Sequence, residues 1–185
     1  SGVIFPKYGT EELRGIFLRD GGYYFSINDY VHTALTGDVF SKGSWGLKSN
    51  TTYRKRYRYS GNFTFTYNRN KSSATDEQPL DSKDFWISWS HRPESRGKSN
   101  FTASVNAGSS TYNQNNVSTT NFTRNVSSEF RSNVAYSSSF LNNFFNYSLN
   151  ARHSQNVESG IVDLSLPEFA LNMNRLYPFK GSKTD

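Results

Sequence analysis

The chain has 185 residues, of which 34% are hydrophobic, 16% aromatic and 19% charged, and its mean hydropathy is −0.74. It contains no cysteine, which excludes disulfide frameworks and thiolate metal sites, and no apolar run is long enough for a transmembrane helix. The formal net charge of +6 permits anionic partners such as lipid phosphates, acidic glycans or nucleic acid.

Apolar and polar residues alternate along most of the chain, and this pattern predicts about ten β-strands. In chain order they cover residues 2–9, 14–27, 30–42, 45–55, 57–70, 84–92, 100–109, 123–139, 144–156 and 161–177. Residues 41–44 are predicted to form a tight turn, and residues 71–83, 91–99 and 110–121 are predicted to be loops. Most of the strands are near or above the ~9–11 residues that a tilted strand needs to cross a bilayer.

Pro6 interrupts the first apolar segment, which runs from Val3 to Phe5. Proline has no backbone N–H, so it cannot donate to a strand ladder. The first strand is therefore predicted to be an edge strand or to pair weakly.

The central strands have two chemically different faces. Phe63, Phe65 and Tyr67 alternate with Thr64 and Thr66, and a period of two places the two sets on opposite faces. The same alternation recurs around Phe85, Ile87 and Trp89 and around Phe101, Ala103 and Val105. An aromatic face opposite an uncharged hydroxyl and amide face is typical of a strand between lipid and a watery lumen. The predicted fold class is all-β, with antiparallel strands of a transmembrane β-barrel.

A basic run lies at the predicted turn between the fourth and fifth strands. Arg54, Lys55, Arg56 and Arg58 are interleaved with tyrosines, and Lys48 precedes them on the predicted strand 45–55. Such a run can bind nucleic acid, or it can belong to a membrane-interface belt whose cations reach toward headgroups. The belt is favoured, so these five residues are candidate contacts for lipid headgroups or lipopolysaccharide, and nucleic acid is not an expected partner.

The pattern of apolar residues changes near the end of the chain. Pro167 and Glu168 separate two apolar series of opposite parity, which predicts a β-bulge.

The three histidines, His32, His91 and His153, have no acidic residue at a motif spacing, and hydrolase and nucleotide-binding motifs are missing. We expect neither an enzyme nor a metal or cofactor site.

Several blocks of sequence, in order, resemble the lipopolysaccharide-assembly protein LptD family of the outer membrane, in its Bacteroidetes-like form. The blocks are residues 2–9, 14–30, 34–46, 85–91, 103–109 and 166–179. The resemblance implies that residues 1–185 are one region, the first strands of a larger barrel, and that the family's periplasmic jellyroll domain is not in this chain. It also implies an LptE-like plug lipoprotein, lipopolysaccharide, outer-membrane lipid and the periplasmic Lpt bridge as partners.

In that family the first strand pairs weakly with the last, and lipopolysaccharide leaves sideways through this seam. Pro6 occupies the place of a family proline. The family has a second proline in the following strand, and this chain has Gly21 and Gly22 there instead. The cysteines that tie jellyroll to barrel in proteobacterial members are also absent. The resemblance thus implies a lateral seam at Pro6, Gly21 and Gly22, and lipopolysaccharide translocation as the function.

The residues leave two other functions open. A secreted, soluble β-sandwich or β-solenoid adhesin would bind glycans through exposed aromatic side chains, and its apolar face would contact protein instead of lipid. A porin or transporter barrel would share the lipid-facing pattern but would not need a seam that opens.

Overall fold

The structure is a computed structural model and describes residues 1–12, 14–72, 80–94, 99–109, 129–141, 144–156 and 159–174. Within these ranges all regular structure is β, and no helix could cross a membrane. The strands are β1 (Gly2–Ile4), β2 (Lys7–Glu11), β3 (Gly15–Asn28), β4 (Val31–Phe40), β5 (Trp45–Lys55), β6 (Tyr59–Ser72), β7 (Leu80–Pro93), β8 (Ser99–Gly108), β9 (Glu129–Phe140), β10 (Phe145–Asn156) and β11 (Val162–Met173).

These strands form one antiparallel sheet in which consecutive strands from β3 to β11 pair with each other. Both β1 and β2 pair with β3, so they lie end to end as two pieces of one first strand. In the described part of the chain β1 and β11 do not meet, and the sheet is open. The all-β, antiparallel prediction is confirmed, and the sheet is consistent with part of a barrel wall.

Three predicted boundaries are wrong. The first strand is not continuous over residues 2–9, because it breaks at Phe5 and Pro6 and then extends to Glu11. The described residues of the predicted loop 71–83, which are 71–72 and 80–83, are strand instead, since pairing between β6 and β7 continues to Ser72 opposite Leu80. Strand β7 also continues to Pro93, inside the predicted loop 91–99. The predicted loop 110–121, strand residues 123–128 and strand residues 175–177 lie outside the described residues.

The predicted bulge near the end of the chain is confirmed. Pairing between β10 and β11 shifts register between Glu168, opposite Asn150, and Ser165, opposite Arg152. The extra residue in β11 reverses parity, so Leu164 and Phe169 lie on the same face although one is even and the other odd in number.

The strand register defines two faces across the sheet. We call one the aromatic face; its members include Leu18, Tyr23, Phe25, Leu35, Leu47, Tyr53, Phe63, Phe65, Tyr67, Phe85, Ile87, Trp89, Phe101, Val105, Val134, Tyr136, Tyr147, Leu149, Phe169 and Leu171. The other is the polar face; its members include Thr36, Lys48, Asn50, Asn62, Thr64, Thr66, Asp84, Ser88, Ser90, Thr102, Ser104, Asn133, Ser137, Asn146, Ser148 and Asn150.

Burial differs between the two faces at the centre of the sheet. On the polar face Thr64 is 8% exposed and Asp84 is 0% exposed, whereas Phe63 and Phe85 on the aromatic face are 36% and 42% exposed. The polar face is the more buried of the two along this part of β6 and β7, whereas on β5 the polar-face residues Lys48, Asn50 and Thr52 are exposed. Trp86 also lies on this face, where it packs against Phe130 and donates through Nε1 to Asn106 Oδ1 at 2.6 Å.

Candidate functional site

The first strand is interrupted at Pro6. Pairing of β1 with β3 ends at Ile4 opposite Gly22, and pairing of β2 with β3 resumes at Lys7 opposite Arg19. Because Pro6 has no N–H, it has no ladder bond to donate at this point. The predicted weak pairing of the first strand is thus visible as a gap in the ladder.

Strand β3 is irregular opposite the same gap. Its pairing with β4 passes from Leu18 opposite Val39 to Gly21 opposite Gly37, which leaves a bulge at Arg19 and Asp20. Asp20 has a φ of 57°, in the left-handed region that is uncommon for a residue with a side chain. Its backbone N–H donates to Asp38 Oδ1 at 2.7 Å, which satisfies the donor that the bulge removes from the ladder.

Gly21 and Gly22 allow close contacts at this point. A Cβ on Gly21 would lie 2.9 Å from Pro6 Cβ, and a Cβ on Gly22 would overlap the carbonyl oxygen of Leu35 in β4. The structure therefore brings the three predicted seam residues, Pro6, Gly21 and Gly22, into one small region.

A second cluster anchors β2, and sequence reasoning missed it. Glu11 accepts from Arg14 Nε at 2.7 Å and from Arg19 Nη2 at 3.1 Å. The Arg14 guanidinium lies 4.5 Å from the ring centre of Phe40, and that of Arg19 lies 4.3 Å from the ring centre of Phe17. We call these five residues the anchor cluster. One sequence feature could have revealed this cluster. The alternation along β4 places the large ring of Phe40 on the polar face, among small residues.

The five predicted cationic contacts do not form one group. Lys48 lies on the polar face between Thr36 and Thr66, about 20 Å along β5 from Arg54 by strand rise. The other four lie at the β5–β6 turn, and they are distributed over both faces and the turn itself.

Within this group each cation has its own surroundings. Arg54 is on the polar face and pairs with Glu94 at 3.1 Å, while Lys55 is on the aromatic face with Nζ 5.3 Å from the ring centre of Tyr30. Arg56 and Arg58 are exposed in the turn. Aromatic rings and cations therefore meet at this end of the sheet, and contact of these cations with headgroups stays a prediction.

An aromatic cluster occupies the same end on the aromatic face. Trp89 Nε1 donates to the Tyr53 hydroxyl at 2.8 Å, and that hydroxyl is 2.9 Å from His91 Nδ1. Tyr59 and Phe101 pack their rings against His91. His91 is a member of this aromatic cluster, and in the described part of the chain no three His, Asp or Glu residues are placed to hold a metal ion.

The family model described as LptD protein matches residues 1–185, the whole chain. No curated protein matches the chain.

Proposed function

Since the chain belongs to the LptD family, which acts in lipopolysaccharide assembly at the outer membrane, we propose that it is a non-enzymatic part of the barrel wall and passes lipopolysaccharide into the outer leaflet. The sugar portion slides over the polar face, and the acyl chains leave sideways through a seam beside Pro6. A plug lipoprotein like LptE fills part of the lumen, and a periplasmic Lpt bridge delivers the cargo.

The dimensions of the aromatic face support contact with lipid. On β6 its apolar residues run from Tyr59 to Tyr67, which is roughly 26 Å along the strand and roughly 20 Å when the strand is tilted as in a barrel. Arg69 and Asp81, paired at 2.6 Å, border this band. Outer-membrane barrels have an apolar band ~25 Å tall between interfaces of this kind.

The polar face supports passage of a glycan. Its hydroxyl and amide groups can exchange hydrogen bonds with sugar hydroxyls, and Lys48 offers a cation for phosphate. Energy for transport comes from elsewhere.

The gap at Pro6 supports lateral release. A backbone group without a partner has no water to bind in hydrocarbon, so strand pairs in lipid are normally complete. An edge that already lacks a donor loses fewer hydrogen bonds when it separates from a neighbouring strand than any continuous pair in the sheet. Lipopolysaccharide requires such a lateral exit because its acyl chains must stay in the bilayer.

Connection lengths support an orientation for the basic group. The connections at one end of the sheet are all short, residues 29–30, 56–58, 94–98 and 141–144, whereas the opposite end has residues 12–14, 41–44, 73–79, 109–128 and 157–161. Short turns face the periplasm in outer-membrane barrels. Arg54, Lys55, Arg56 and Arg58 then lie at the periplasmic interface, where they contact anionic headgroups or lipopolysaccharide phosphates as the cargo arrives.

Replacing Pro6 by valine tests the seam. Pro6→Val restores a backbone N–H and a β-branched side chain, so we expect tighter pairing, less lipopolysaccharide at the cell surface and less crosslinking between residues engineered across the seam. Pro93→Val is the matched control, because Pro93 ends β7 far from the seam and should leave export unchanged. Normal export together with normal seam crosslinking in Pro6→Val would favour a porin or transporter barrel instead.

Two neighbouring tryptophans on opposite faces test lipid contact. Trp89 is on the aromatic face and Trp86 on the polar face. In vesicles with brominated acyl chains, we expect the quenched fluorescence to decrease in Trp89→Phe and to stay the same in Trp86→Phe, each compared with the unsubstituted protein. Equal contributions from both, or a protein that needs no detergent to stay in solution, would support the soluble glycan-binding alternative.

A further inference from the structure

Three cations lie on the aromatic face just beyond the end of its apolar band. We call Arg69, Lys71 and Lys83 the outer patch. We propose that the outer patch binds the phosphate groups of lipopolysaccharide molecules that reside in the outer leaflet beside the protein. The site is on the lipid side of the wall, apart from the polar face that carries the cargo. The inference rests on the orientation in the proposed function, and it adds a lipid that stays in place.

The strand register places the three cations side by side. Arg69 lies directly opposite Lys83, and Lys71 lies directly opposite Asp81 in the next row of the same face. Directly opposed residues have Cβ atoms about 4.5–5.5 Å apart, and like charges at such positions destabilise a sheet. An anion bound between Arg69 and Lys83 would offset this repulsion.

Asp81 balances only one of the three cations. Both of its carboxylate oxygens accept from Arg69, one from Nε at 2.9 Å and the other from Nη2 at 2.6 Å. In the described part of the chain neither Lys71 nor Lys83 forms an ion pair. Two positive charges are therefore left over, and a phosphate monoester, with a charge of roughly −1.5 to −2 at neutral pH, complements them.

The backbone of Lys71 is fixed by the turn between β4 and β5. Ser44 Oγ accepts from the Lys71 N–H at 2.8 Å and donates to the Lys71 carbonyl oxygen at 2.9 Å, and Ser44 is buried. The Lys71 side chain passes beside Gly43, where a Cβ would lie 3.4 Å from Lys71 Cδ. Lys71 therefore extends from a fixed point of the sheet, and its ammonium group is placed beyond the apolar band.

The outer patch lies at the depth of lipid headgroups. Tyr67 and Phe85 end the apolar band on β6 and β7, and the Trp45 ring packs against Tyr67 with ring centres 5.4 Å apart. Arg69 and Lys71 follow farther along β6, roughly 5 and 10 Å beyond Tyr67 along the membrane normal for a tilted strand. Headgroups occupy about 5–8 Å on each side of the hydrocarbon. The cations are therefore level with the phosphates of the adjoining leaflet.

Exposed rings next to the outer patch favour a phosphate that is carried by a lipid. Trp45 and Phe85 are each 42% exposed, on the side of the cations that faces the apolar band. A ligand that fits both parts has acyl chains beside these rings and phosphate beside the lysines. Lipopolysaccharide has both parts, and in the proposed orientation it is the lipid of the leaflet at this end of the sheet.

Acylation of lysine amines in the full-length protein, held in a non-ionic detergent without phosphate, tests the outer patch. Mass spectrometry gives the rate at each lysine with three probes: lipopolysaccharide, lipopolysaccharide stripped of its phosphates, and inorganic phosphate. We expect lipopolysaccharide to slow acylation of Lys71 and Lys83 several-fold and the other two probes to leave it unchanged. Lys42 is the internal control, because it is exposed at the same end and its Nζ donates to the Glu12 carbonyl oxygen at 3.2 Å.

Three results of this measurement would overturn the inference. Unchanged rates with lipopolysaccharide would show that water alone surrounds these lysines. Equal protection by the stripped lipid would show that its sugars shield them. Equal protection by inorganic phosphate would show a site for phosphate in solution instead of a lipid.

Charge variants of the outer patch provide a second measurement with opposite signs. The lipopolysaccharide concentration that half-protects Lys71 should rise roughly fivefold in Lys83→Gln, the factor expected for one cation at an anionic lipid surface. It should fall in Asp81→Asn, which removes the acid between the cations. Asp163→Asn is the matched control, because Asp163 is exposed on β11, far from the outer patch. If Asp81→Asn and Lys83→Gln change this concentration in the same direction, charge does not determine binding and the proposal is wrong.

Amine protection and export fail independently, which separates this inference from the proposed function. If lipopolysaccharide does not protect Lys71 while Pro6→Val still lowers export, the inference is wrong and the proposed function stands. If lipopolysaccharide protects Lys71 while Pro6→Val exports normally, the outer patch stands and the exit route in the proposed function is wrong.

Discussion

The edge of the sheet at β1–β3 and its centre at β5–β7 contain the same kinds of residues but differ in regularity. At the centre, β5 pairs with β6 from Trp45 to Lys55 and β6 pairs with β7 from Tyr59 to Ser72, both without a register shift. At the edge the first strand is broken, and β3 has two register shifts against β4. The same alternation of apolar and polar residues can therefore produce both strongly and weakly paired strands. Irregularities of the backbone distinguish the weakly paired strands.

Side-chain pairing strengthens the same contrast. Across β6 and β7 the aromatic face has bulky side chains directly opposite each other: Phe63 and Trp89, Phe65 and Ile87, and Tyr67 and Phe85. Such cross-strand pairs contribute roughly 0.2–1 kcal/mol each. Opposite the break at the edge lie Gly21 and Asp20, and Gly21 contributes no side-chain packing.

The largest expected effect is the loss of a buried ring at the centre. Trp86 is 7% exposed and packs on Phe130, so Trp86→Ala should lower the free energy of unfolding by about 3–5 kcal/mol. The edge counterpart is Phe5→Ala, which removes a ring that is 84% exposed and should have little effect. Urea unfolding of the reconstituted protein measures both. A similar cost at both positions would remove the distinction between centre and edge.

The next effect in size lies within the edge. A Cβ on Gly22 meets the backbone of β4, and backbone cannot move aside as the end of a side chain can. Gly22→Ala should therefore cost about 1–3 kcal/mol of unfolding free energy by overpacking. Gly2→Ala is the control in the same ladder, since a Cβ there meets no atom within 4 Å. If Gly22→Ala is as stable as Gly2→Ala in urea unfolding, β3 and β4 are farther apart at Gly22 than the structure shows.

Sequence alone predicts the regular part of this fold well because a period of two is a property of each strand. The strands from β3 to β6 and β10 begin and end within two residues of their predicted limits, and the parity change at Pro167 predicts the bulge. The break at Pro6 is harder to predict, since proline at an edge can stay within a strand; whether it separates the strand depends on the bulge at Asp20 across the ladder.

The anchor cluster and the continuation of the β6–β7 hairpin depend on contacts between distant residues. Arg69 and Asp81 appear in sequence as a strand end and a loop, yet they pair at 2.6 Å across extended strands. In the same way Arg14, Arg19 and Glu11 meet only after β2 folds back on β3. The candidate seam residues were predicted through family resemblance, and their proximity follows from register that local patterns do not specify.

The smallest expected effect tests whether β4 and β5 behave like the centre or like the edge. Thr33 and Thr51 face each other on the aromatic face with hydroxyl oxygens 3.0 Å apart. Valine has nearly the same shape as threonine, so either single change to valine leaves one hydroxyl without its partner and should cost about 1 kcal/mol of unfolding free energy if lipid excludes water. The double change removes both hydroxyls and should return stability to nearly the original value. Thr52→Val, on the polar face, is the control and should be nearly neutral because Thr52 is exposed. If the two single changes are also neutral, water reaches the aromatic face at β4 and β5. The irregular edge of the sheet then extends beyond Pro6 and the bulge in β3, as far as β5.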